Sequence, residues 1–110
     1  MPKFILFIRE DLRKYPIPDD QLAALISAHS NWARTLVSQG KFIDGYGIAP
    51  QGMLVEKKND QLMESPLRDL EEGLGGLYIL EVADMQEAIS VAKQCPTFDA
   101  GDIIEVRPLM

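Results

Sequence analysis

The chain has one cysteine, one histidine and one tryptophan in 110 residues, and each scarcity excludes something. Cys95 has no second cysteine with which to close an internal disulfide, which fits a reducing compartment and makes the cytoplasm the expected location. A single histidine and a single cysteine, far apart in sequence, provide no recognisable metal-ligand spacing, and no metal is expected. Basic residues are also short: 11 against 17 acids, a net charge of −6. That balance argues against nucleic acid or an anionic membrane as the main partner. The apolar run in the opening MPKFILFIRED is too short for a signal peptide or a membrane span. Gly73-Leu74-Gly75-Gly76 precedes a strand rather than a helix, so it is no phosphate loop, and no cofactor is expected. No internal repeat, low-complexity tract or linker interrupts the chain, which reads as one domain over residues 1–110.

What is present centres on Pro18 to Gly40. Leu22, Leu25, Ile26, Trp32, Ala33 and Leu36 recur at helical spacing and form one stripe. At roughly 100° per residue, His29 falls near the middle of that stripe, while Ser27, Asn31, Arg34 and Ser38 lie opposite. Pro18 suits the first helical position, Asp19 and Asp20 complement the helix dipole, and Gly40 can end the helix with positive φ.

Around this helix the pattern is mostly extended. KFILFIR, residues 3–9, reads as a central strand apolar on both faces. Phe42 to Ile48 reads as a strand in which Gly45 and Gly47 mark a bulge or a close backbone approach. Met53–Lys57 and Gln61–Glu64 form a hairpin around Lys58-Asn59-Asp60. Pro66 to Gly73 reads as an exposed acidic connection. LYILEV, residues 77–82, is the strongest strand. Asp84 and Glu87 resemble a capping box opening a second helix, with Met85, Ala88, Ile89 and Ala92 as its stripe, closed near Cys95 by Pro96. DIIEVRP is the last strand.

This order, β-α-β-β-β-α-β, predicts an α+β fold of ferredoxin-like type: an antiparallel sheet with two helices on one face. The other sheet face would carry Ile5, Phe7 and Ile79 or their alternates and is too apolar to leave wet. A second copy is the natural cover, so a homodimer through the sheet face is expected.

The blocks AHSNWARTLVSQGKFIDGYGIAP, MESPLRDLEEGLGGLYILEV, DMQEAISVAKQCP and IEVRPL, in this order, resemble the YCII-related family, closest to its branch with a DGPF signature. Where that branch reads Asp-Gly-Pro-Phe, this chain reads Glu64-Ser65-Pro66-Leu67. The resemblance implies a dimeric α+β barrel. One related member is a dehydrochlorinase of a chlorinated hydroxyhydroquinone, for which a histidine–aspartate pair has been proposed, and His29 matches the family's helix histidine.

His29, with an ordinary pKa near 6.5, can exchange protons at neutral pH if an acid orients it. The first helix must pack back over the first strand, so the acid is expected at that strand's end, from Asp11 or Glu10, with Asp44 as the alternative. Asp11, shorter and placed where the chain leaves the sheet, is preferred. Tyr46, between two glycines, can reach a pocket. Arg9 and Arg68 suit anion contacts, although Arg9 can equally pair with Glu81 or Glu105. Trp32 belongs to the core stripe and counts with Tyr46, Arg9 and Glu10 among residues able to border a ligand. Cys95, ahead of a proline at a helix C-terminus, is expected to be unreactive. Two functions remain open at this level: a dimer binding a small molecule around His29, or a cofactor-independent lyase or isomerase using a His29–Asp11 pair on an aromatic or enol-like substrate. A purely structural dimer is a third reading, and it predicts no ligand-sized pocket beside His29.

Overall fold

A computed structural model describes residues 1–67 and 72–110. Its elements run β1 (Lys3–Asp11), α1 (Asp19–Ser38), β2 (Phe42–Gly47), β3 (Met53–Lys58), β4 (Gln61–Pro66), β5 (Glu72–Glu81), α2 (Met85–Ala92) and β6 (Ile103–Pro108). Short 3-10 turns lie at Leu12–Lys14 and Pro96–Ala100. Four strands form one antiparallel sheet in the order β2-β5-β1-β6, and β3 and β4 form a separate hairpin. The architecture is α+β with two helices, compatible with the ferredoxin-like pattern read from the sequence.

Alternation along β1 decides which face meets the helices. Phe4, Leu6, Ile8 and Glu10 are buried, and Ile5, Phe7 and Arg9 are only partly covered. On the buried face Leu6 lies opposite Tyr78 and Phe4 opposite Leu80. Together with Val82 they pack against Trp32 and Leu36 of α1 and Ala88, Val91 and Ala92 of α2 to form the core. The other face carries Ile5 opposite Ile79 and Phe7 opposite Leu77.

Local chemistry sets the element ends. Gly40, at φ 70°, donates to Val37 O while Lys41 donates to Leu36 O, a glycine-dependent Schellman closure of α1. Asp84 caps α2 by accepting from the Glu87 N–H at 2.9 Å, and the helix ends at Ala92, a turn earlier than Pro96 implies. Asn59 and Asp60 both take positive φ, giving the two-residue turn whose twist suits a tight hairpin. β4 accordingly runs on to Pro66.

Two expectations are corrected. The irregularity in β2 falls between Phe42 and Asp44, ahead of the glycines. β5 begins at Glu72, not Leu77, because its glycines let neighbours approach closely. A Cβ at Gly73 would meet Leu12 at 2.9 Å, and one at Gly76 would meet the Tyr46 carbonyl oxygen at 2.9 Å. Residues 68–71, within the expected acidic connection, lie outside the described residues.

Candidate functional site

The N-terminal half of α1 carries apolar residues but does not close down on the sheet. Trp32 and Leu36 are its only buried residues, whereas Leu22 and Ile26 remain exposed. The reason lies beneath them. Gly45 and Gly47 of β2 and Gly75 and Gly76 of β5 line this space and add no side chains to it. The result is a cavity of about 520 Å³ between helix and sheet, bordered by Leu25, His29, Ala33, Ile8, Phe42 and the four glycines.

Polar groups enter this cavity in two clusters. The first is His29, whose Nδ1 lies 2.6 Å from the Tyr78 hydroxyl. Tyr78 is held by an edge contact from Trp32, with centroids 4.9 Å apart, and by Phe42 at 6.4 Å. Gly45 makes room for its ring: a Cβ there would come within 2.9 Å of Tyr78 Cδ1. Burial lowers the His29 pKa below 6.5, opposed by the charge of Asp102, and burial pushes the Tyr78 hydroxyl well above the usual tyrosine range. Both groups are therefore neutral at physiological pH. If the Tyr78 hydroxyl donates to Nδ1, every donor of the pair has an acceptor except the Nε2–H of His29, which has no protein partner among the described residues.

The second cluster is ionic. Glu10 is 4% exposed and Asp102 8%, and Lys14 lies between them, 2.8 Å from Glu10 Oε2 and 3.1 Å from Asp102 Oδ1. The Tyr15 hydroxyl donates to Glu10 at 2.9 Å, and the Thr97 hydroxyl donates to Asp102. Burial works against the Lys14 charge, but its bonds to Glu10 and Asp102 outweigh that and raise its pKa. Burial and the bond to Glu10 push Tyr15 up to about 12. Gly75 is what admits the carboxylate, since a Cβ there would meet Glu10 Oε2 at 2.7 Å. Glu10 and Asp102 line the cavity, and no lysine or arginine does so among the described residues.

The sequence-predicted residues divide accordingly. His29 and Glu10 share the cavity. Asp11 does not pair with His29: its carboxylate, exposed, takes the Arg13 guanidinium at 2.8 Å and the Arg13 N–H at 2.9 Å. The Arg13 bonds hold its pKa down at about 2. The reason is alternation, since residue 10 points toward the helices and residue 11 away from them. Trp32 packs behind Tyr78 and does not line the cavity, and its buried Nε1–H has no partner among the described residues. Arg9 emerges on the opposite sheet face, 2.6 Å from Glu72 and 3.8 Å from Glu105. Its expected pairing with Glu105 is present, and Glu72 takes the place of Glu81. Tyr46 borders the cavity, but its hydroxyl donates to Asp44 at 2.8 Å. Strand register places it with Leu77, away from Tyr78. Asp44 is thereby engaged too. Arg68 lies outside the described residues. Cys95 is buried, and burial pushes its thiol up to about 11. Tyr78, Asp102, Lys14, Tyr15 and Thr97 escaped sequence reasoning. Only Tyr78 left a local trace, as the residue sharing the Leu80 face of a strand that follows a glycine pair.

No group of three or more metal-ligating side chains occurs among the described residues, and no helix there is long and apolar enough to cross a membrane. The YCII-related domain model matches residues 3–110. No curated protein matches the chain.

Proposed function

The chain belongs to the YCII-related domain family, and from that premise we propose that it works as a cytoplasmic homodimer binding a small hydroxylated molecule in the cavity beside His29. The cavity itself carries this reading: about 520 Å³, with apolar walls and two polar clusters, is the form of a small-molecule site. The Nε2–H of His29 offers a donor to a ligand hydroxyl or carbonyl. Glu10 and Asp102, sharing a single lysine, leave one excess negative charge at the other cluster. A ligand with an aromatic or otherwise flat apolar body, an oxygen at one end and a donor or cationic group at the other meets both.

The lone histidine makes the test direct. Catechol and tyramine should shift the His29 ring resonances saturably, and 4-hydroxyphenylacetate should bind weaker by about tenfold or more because its carboxylate faces buried carboxylates. Absence of any shift in the ring with all three probes would overturn the reading.

The catalytic reading has one observation of its own. A neutral imidazole, bonded to a phenol in a mostly apolar cavity, keeps a second ring nitrogen facing the space where a substrate would sit. In that reading Nδ1–H donates to the Tyr78 oxygen, Nε2 is left unprotonated as the general base, Tyr78 is its positioning partner, and the reaction is a cofactor-free elimination or isomerisation. Chemical conversion of a bound probe, lost in His29→Gln, would place the protein in that class.

A further inference from the structure

The β3–β4 hairpin stands apart from the rest of the fold. Its strands pair with each other from Met53–Pro66 to Lys58–Gln61. At its base, the Leu67 N–H donates to the Gly52 carbonyl at 2.9 Å. No helix or strand of the described residues packs broadly against it. An isolated two-stranded hairpin is marginal in water, yet this one is not built for solvent. Cross-strand register puts Met53, Val55 and Lys57 on one face with Pro66, Glu64 and Leu62. On that face Met53 is 57% exposed, Val55 70% and Leu62 77%.

The dimensions of the whole chain point the same way. Its radius of gyration is 15.7 Å, against about 13 Å for a compact domain of this length. Its accessible surface is 7513 Å², whereas a folded monomer of this mass exposes about 6,100 Å². The excess exceeds the roughly 800 Å² that each partner buries in a standard stable interface. A chain with that much surplus surface has the shape of a subunit rather than of a finished monomer.

We propose that the β3–β4 hairpin is an exchange arm, whose Met53–Val55–Leu62 face docks on a second copy of this chain. Two reciprocal arms bury the surplus surface and leave no unsupported hairpin in the assembly. Six residues per strand reach about 20 Å, enough to cross a four-stranded sheet about 15 Å wide. The arm leaves the body at Pro50 and Gly52, and Pro50 belongs to the cavity rim, so the arms also tie dimerisation to the mouth of the binding site. This inference rests on the homodimer in the functional reading.

The test is sedimentation equilibrium on wild type, on Val55→Asp/Leu62→Asp, and on Glu56→Gln from the opposite hairpin face, with circular dichroism to confirm folding. Wild type and Glu56→Gln should be dimers, and the double variant should be folded, with a dimer Kd raised at least about thirtyfold. A double variant that dimerises like wild type overturns the arm while the homodimer stands. A monomeric wild type overturns both. If the double variant misfolds, joining Gly52 directly to Leu67 decides the matter. A folded monomer supports the arm, and a dimer or a chain that cannot fold without its hairpin overturns it.

Discussion

Glycines do as much as any polar side chain to define this site. Gly45 accommodates the Tyr78 ring and Gly75 the Glu10 carboxylate, so the two polar clusters exist because two Cβ atoms are missing. Between them, His29 sets a pH dependence whose sign follows from its lowered pKa. Below pH 6.5 the unfolded chain takes up a proton on this residue that the folded chain refuses, so stability falls as pH drops toward the folded-state value. Urea titrations at pH 7.5 and 5.5 should show this acid-side loss in wild type. The loss should be smaller in His29→Gln, whatever that variant's absolute stability. Asp11→Asn should leave the His29 ring titration unchanged, because its carboxylate is committed to Arg13.

Helices and strands here owe their boundaries to a few capping and turn residues, and their exposed faces to what lies beneath. α1 is closed by Gly40 and α2 opened by Asp84. Removing the latter cap in Asp84→Ala should cost about 1 kcal/mol, read from the shift of the urea midpoint at unchanged slope. The α1 stripe was legible in sequence as one continuous apolar face. Its division into a packed half around Trp32 and Leu36 and a cavity-lining half around Leu25 and His29 was not. That division depends on β2 and β5 presenting glycines under one half only, which requires knowing that these two strands are neighbours.

For the molecule as a whole, the two sheet faces have different fates. One carries the core. The other holds Ile5, Phe7, Leu77 and Ile79 half-buried, edged by Arg9, Glu72 and Glu105 in ion pairs. If a second copy covers this face, Phe7→Asp should shift the chain to monomer, with a dimer Kd raised at least about thirtyfold in sedimentation equilibrium and a circular-dichroism spectrum like that of wild type. Glu64, Ser65 and Pro66 end β4 and belong to the proposed arm, and Leu67 closes its base on the Gly52 carbonyl.

Local sequence was enough to determine the elements and their order, because period-2 and period-3.6 patterns, caps and turns are short-range properties. It also singled out His29, as the one titratable group on the main helix stripe. Tertiary structure alone decided its partner. Tyr78 lies 49 residues away, and Lys14 and Asp102 are separated by 88, distances over which no periodicity carries information. The expected His29–Asp11 pair is absent because one residue of alternation moves a side chain to the other face of a strand, where Asp11 meets Arg13. Asp11 and Glu10 look alike in sequence, and only packing of β1 beneath α1 separates the buried carboxylate from the exposed one.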